Sequence, residues 1–200
     1  MGAVRKQLID GLERRATWTT AALAFGVTLL SNLAMKGYLF PNIEARHPEA
    51  LNDGFLVMID LVPLRSSEEI YRIFELYTPD ILGFVRLLYA LDFVIPLAFA
   101  FLCLALIGKL LRYLGVKAAG WRACLLVPFA ALLFDYTENA LALFLIGEYQ
   151  DGLVFPTLAR VASIATAGKF VGLGLTGLTT VALLLLAAAK LIASRAGRAP

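Results

Sequence analysis

Residues 122–147 read RACLLVPFAALLFDYTENALALFLIG, and this stretch decides the fold. It is apolar for longer than the roughly 20 residues an α-helix needs to cross about 30 Å of hydrocarbon. Yet Asp135, Glu138 and Asn139 stand in its middle. At spacings of i, i+3 and i+4 they share one helical face, with side-chain roots about 5–6 Å apart. A helix that is greasy all round except for one acidic stripe must turn that stripe away from lipid. The stretch predicts a membrane helix with polar partners.

The whole chain has the same character. Of its 200 residues, 60% are hydrophobic and 16% charged, with a mean hydropathy of +0.79. A soluble domain usually has about 45–50% apolar and about 25% charged residues. That contrast excludes a soluble enzyme, a disulfide scaffold and a disordered chain. A net charge of +3 without a basic tract also argues against nucleic acid as a partner.

Three further apolar runs extend over Thr17–Phe40, Thr78–Lys109 and Pro156–Lys190, beside the third run from Arg122 to Gly147. The membrane portions are placed at 17–40, 81–107, 123–147 and 160–189, leaving an outer loop over 41–79. Thr78-Pro79-Asp80 opens the second span, with threonine as N-cap and proline in the first helical position. The first run is longer than a signal-peptide core and lacks a small-x-small cleavage site, so it is expected to remain a span. The fourth is long enough to tilt or to begin outside the bilayer. Within the loop, Ser66-Ser67-Glu68-Glu69 forms a capping-box pattern, and Ile70, Ile73, Phe74 and Tyr77 then fall on one face. This predicts a short amphipathic helix that leads into span two along the interface or, as the less simple alternative, lids the bundle. The expected fold class is an all-α polytopic membrane protein. It is a four-transmembrane-helix bundle in a single domain over residues 1–200, with a short outer amphipathic helix.

Charge sets the expected direction. Arg5, Lys6, Arg14 and Arg15 precede span one; Lys109, Arg112, Lys117 and Arg122 lie between spans two and three; Lys190, Arg195 and Arg198 follow span four. The opposite side has only Arg46, Arg65 and Arg72 in its long loop. The positive-inside rule then predicts a multi-pass protein of the inner (plasma) membrane with both termini cytoplasmic.

The informative residues are polar ones inside the apolar runs. Asp92 lies near the middle of span two, beside Tyr89, and Pro96 cannot donate a hydrogen bond to the carbonyl of residue 92. Asp135, Glu138 and Asn139 occupy span three. Lys169 stands in span four, with Ser163, Thr166, Gly172 and Thr176 near its stripe, and Thr28, Ser31 and Asn32 mark one face of span one. Lipid forces such stripes inward, so Asn32, Tyr89, Asp92, Asp135, Glu138, Asn139, Thr166 and Lys169 are predicted to form one buried polar centre, nearer the outer face. Three acids meet one base there. At least one carboxyl is then expected to hold a proton at neutral pH, because desolvation and its neighbours oppose the charge. Such a centre suits ligand binding or proton exchange; a static knot pinning the helices is the competing reading.

Other features are quiet. His47 is the one histidine and has no cysteine nearby, and Cys103 and Cys124 lie in apolar runs without a CxxC partner. No metal and no cofactor are expected. Gly168-x-x-x-Gly172 invites a homo-oligomer, but packing within the chain uses the same small residues and is preferred.

The set Tyr89-x-x-Asp92-x-x-x-Pro96, Asp135-x-x-Glu138-Asn139 and Ala162-Ser163-x-x-Thr166-x-x-Lys169 resembles a family of small four-helix bacterial integral membrane proteins with no assigned activity. The likeness covers roughly residues 60–186 and rests mainly on the Asp-x-x-Glu-Asn core. It implies the fold and a shared polar centre, and carries over no catalytic residue. The functional expectation is binding or transformation of a small amphipathic or lipid-like ligand reached from the outer leaflet, among membrane lipids. A proton- or cation-coupled transport element and a non-catalytic assembly subunit are the alternatives.

Overall fold

A computed structural model describes residues 2–46, 51–52, 55–56, 58–59 and 62–196; His47 lies outside them. The chain folds as an all-α polytopic bundle. Helices α1 (Gly2–Arg15), α2 (Trp18–Ala34) and α3 (Phe40–Arg46) come first, with a π-helical turn, Met35–Leu39, joining the last two. Two short strands, β1 (Leu51–Asn52) and β2 (Phe55–Leu56), pair antiparallel in the loop. Then follow α4 (Ser67–Glu75), α5 (Pro79–Leu91), α6 (Val94–Leu114) and α7 (Ala119–Arg122). The 3-10 turn Ala123–Leu126, α8 (Val127–Gln150) and α9 (Pro156–Ala196) complete the order.

Among the described residues, four helical stretches are long and apolar enough to cross a membrane: Trp18–Ala45, Ile81–Leu114, Gly120–Gln150 and Pro156–Ala196. Their outward faces present large apolar side chains, among them Leu23, Leu30, Leu133 and Leu178. In water that surface would be a severe liability; in lipid it is the solvent-facing side. At 41 residues, α9 is about 60 Å long, so it must reach beyond the hydrocarbon.

Local sequence sets the breaks. Thr78 accepts the amide of Ile81 at 3.5 Å, with Pro79 at the helix start. Gly115 ends α6 at φ +73°, its amide returning to Arg112 and Leu111, a conformation that costs glycine no Cβ strain. Pro41 cannot donate to the Gly37 carbonyl. The preceding turn widens to π geometry, in which Phe40 N–H bonds Met35 O.

Packing is uneven. α8 and α9 form the most intimate pair, α6 lies against both, and α2 rests on α6. Two apolar clusters close the ends. Ile70, Phe74, Ile81, Leu88, Leu145 and Ala162 belong to the one at the loop end. Ile9, Leu104, Ile107, Leu125 and Leu183 belong to the one at the end carrying both termini. Helix α4 packs against α9 with Ile70, Ile73 and Phe74 buried, so it is a docked cap rather than a segment merely leading into span two. Its capping box is complete: Ser66 accepts Glu69 N–H at 3.2 Å, and Ser66 N–H donates to the Glu69 carboxylate at 2.7 Å. That backbone bond and the Ser66 hydroxyl hold the Glu69 carboxyl below its ordinary value.

Helix α1 had no counterpart in the hydropathy pattern. Arg122 pairs with Asp10 and Glu13, and Arg112 donates to the backbone carbonyls of Glu13 and Ala16. These bonds tie α1 across the terminal end.

The glycines of α9 serve this chain's own packing. A Cβ at Gly172 would lie 2.8 Å from the Cα of Ala131, and one at Gly168 would strike the Phe134 ring. Gly174 faces open space. Gly172→Ala is therefore expected to destabilise the α8–α9 pair by about 1–3 kcal/mol through overpacking. Gly174→Ala should leave stability unchanged or slightly raised. Unfolding of the two variants in a nonionic detergent measures the difference.

Candidate functional site

Helix α8 brings Asp135, Glu138 and Asn139 to the face that meets α9. Lys169 reaches across from α9, its Nζ 3.0 Å from Asp135 Oδ1 and 2.7 Å from Glu138 Oε2. Thr166, one turn away, donates its hydroxyl to the other Glu138 oxygen. Asn139 donates to Asp135 Oδ2 at 3.3 Å and to Asp92 Oδ2 at 3.0 Å. One amide thus couples the α5–α6 junction to the ion cluster. Glu138 is 0% exposed, Asp135 5% and Lys169 8%. Charges this deep require partners, and they have them.

The junction itself is bent out of helical register. Asp92 caps α5 and Phe93 precedes α6; Pro96 removes the amide that would continue the ladder. The carbonyl this frees is that of Asp92, and the adjacent Phe93 carbonyl receives the Tyr136 hydroxyl at 2.7 Å. The break lets Asp92 turn towards α8, and Tyr136 fixes the break.

Six of the eight residues singled out by sequence therefore meet: Asp92, Asp135, Glu138, Asn139, Thr166 and Lys169. Asn32 does not take the place expected of it. Asn32 donates within its own helix, to Thr28 O at 2.9 Å, because α2 packs on α6 instead of closing on α8 and α9. Tyr89 is buried in the loop-end apolar cluster, a turn before Asp92.

Beside the cluster lies a cavity of about 340 Å³. Asp92, Asp135, Lys169 and Thr28 supply its polar atoms; Ile95, Phe99, Leu132 and Leu173 are among its apolar walls. Every wall residue on α6, α8 and α9 lies level with the ion cluster or on its terminal side. The loop-end core fills the other side, Leu88, Ala142 and Ala162 included. The cavity therefore opens on the side of the cluster away from the packed α4 cap. The wall residues Phe99 and Leu173 remain 38% and 37% exposed, so the cavity reaches the lipid-facing surface.

The chain matches no family model, no curated protein and no solved structure.

What the centre can do follows from its atoms. It holds a cation between two carboxylates, adds a third carboxylate through Asn139, and presents two of the three acids to a greasy chamber. Such a site can hydrogen-bond a polar head, exchange a proton with it and seat an apolar body. The wall residues Ile95, Phe99 and Leu132 were not singled out by the sequence. They are ordinary lipid-span residues, and only their common failure to fill one space distinguishes them.

Proposed function

We propose that this is an inner-membrane protein, with both termini cytoplasmic, that binds a small amphipathic or lipid-like molecule in the bundle. One observation carries the reading: a cavity of about 340 Å³ with apolar walls ends on the Lys169–Asp135–Glu138 cluster and reaches the lipid-facing surface. Its volume falls in the range of small-molecule sites, about 300–1,000 Å³. A static knot of helices gains nothing from a chamber of this size beside its charges. A transport element needs a polar route to both aqueous sides, and the two packed apolar clusters lie across that route. The ligand's path is thus lateral, from the hydrocarbon, with the polar head arriving last at Asp92.

Filling the chamber tests this. Protein purified in a mild nonionic detergent should retain an extractable amphiphile, seen by native mass spectrometry. Leu132→Trp should lose it while keeping helical content and a monodisperse profile. Equal retention by parent and variant would refute binding in this cavity.

Orientation has its own check. In a background lacking Cys103 and Cys124, a cysteine replacing Asn52 should react with an impermeant reagent added to intact cells. One replacing Ala118 should react only after permeabilisation. The reverse pattern would invert the protein.

A further inference from the structure

We propose that a row formed by Trp18, Lys109, Tyr113 and Lys190 holds the phosphate headgroup of an anionic phospholipid, in the leaflet at the end carrying both termini. The row lies apart from the cavity and goes beyond the binding reading above. Lys109 places its Nζ 5.2 Å from the centre of the Trp18 ring, and Lys190 places its own 5.2 Å from that of Tyr113. Lys190 also donates to the Tyr113 carbonyl at 2.7 Å. Lys109 and Tyr113 stand one turn apart on one face of α6, so α2, α6 and α9 all contribute to one line of two ammonium groups and two rings. Ala16 packs against Gly108, the residue before Lys109, which brings Trp18 to the lysine. Trp18 is 68% exposed and Tyr113 46%, as rings resting at headgroup level require.

Charge complementarity names the occupant. The chain has no acid from Phe93 to Phe134 and none after Asp151. The acids of α1, Asp10 and Glu13, are held by Arg122, and among the described residues no acid pairs with Lys109 or Lys190. An ammonium carries three donors, so each lysine keeps hydrogen bonds for an anion while its ring holds it in place. Hydrocarbon continues directly from the row. Phe99, Leu102, Leu106, Lys109 and Tyr113 follow at spacings of three and four along α6, which makes them one stripe. Lys109 stands about 15 Å along the helix from Phe99, with the half-buried Leu102 and Leu106 between them. An acyl chain laid on that stripe has its head at the row. A phosphate free in solution gains nothing from the stripe; a phospholipid uses both parts.

The test uses full-length Trp121→Phe protein, in which Trp18 is the one tryptophan, reconstituted in phosphatidylcholine vesicles. Bromine on a lipid chain quenches a tryptophan it touches, so quenching reads which lipid occupies the row. Brominated phosphatidylglycerol is expected to bind about 20-fold more tightly than brominated phosphatidylcholine. Lys109→Gln and Lys190→Gln should each reduce this preference about fivefold, the share of one basic residue near an anionic surface. Lys109→Arg, Lys117→Gln and Arg195→Gln should keep it. The two separate lysine variants guard against one that fails to fold. Full preference in both of them overturns the proposal, as does a parent that takes the two lipids equally. Equal losses from all four glutamine variants would mean a diffuse positive field with no site. Displacement of the brominated phosphatidylglycerol by excess glycerol phosphate would assign the row to a soluble anion, and the lipid reading would fall.

Discussion

Lys169→Met should destabilise the folded bundle by about 3–5 kcal/mol, the loss typical when one partner of a buried ion pair is removed. The lysine is 8% exposed and bridges two carboxylates that are themselves 5% and 0% exposed. Without it, Asp135 and Glu138 stand side by side on one face of α8 and lose the cation that bridges them. They can respond by binding protons, which absorbs part of the cost, but the methionine returns none of the lost bonds. Removing the acids as well should reverse most of the damage. In the triple variant Lys169→Met, Asp135→Asn, Glu138→Gln the three bridged charges are gone and only Asp92 stays ionisable, while amides retain hydrogen bonds to Asn139 and Thr166. Thermal unfolding in nonionic detergent should rank parent and triple variant close together, with Lys169→Met well below both. If the single variant is as stable as the parent, the cluster contributes far less to the fold than its burial implies.

The sequence revealed this centre because membrane burial leaves so few readings for a charge. Asp135, Glu138 and Asn139 at helical spacing could only face inward, and Lys169 was the one cation deep in a neighbouring span. Pro96 marked the break at Asp92 for the same elementary reason, a missing amide. Asn32 obeyed a different rule. A short amide in lipid can satisfy itself on a carbonyl one turn back, so its presence in a span says nothing of a partner helix. Helix α1 was hidden because its apolar face, Ile9, Leu12 and Ala16, is short and precedes the first membrane-length run; Arg122 and Arg112 from elsewhere in the chain also hold it. The π turn before Pro41 and the direction of the cavity depend on how whole helices settle against one another. A cavity is an absence, and no residue pattern encodes it.

Asp92→Asn with Glu138→Gln is expected to leave the protein folded and abundant while abolishing its cellular function. The geometry explains the first half. An asparagine at 92 keeps an oxygen to receive the Asn139 amide, which now lies 3.0 Å from Asp92 Oδ2. A glutamine at 138 can turn its oxygen to Lys169 and its amide to Thr166, whose hydroxyl already has a second acceptor in Ala162 O at 3.2 Å. Lys169 keeps Asp135 as its counter-ion at 3.0 Å. Stability should therefore stay within about 1–2 kcal/mol of the parent, since no buried charge loses every partner. The second half follows from chemistry. Amides do not exchange protons with a bound molecule. Complementation of a deletion strain, read beside protein abundance on an immunoblot, separates the two possibilities. Normal abundance with lost complementation is the signature of a working site. Full complementation by the well-expressed double variant would mean that the carboxylates serve only to pin the helices, and the binding reading would fall with them.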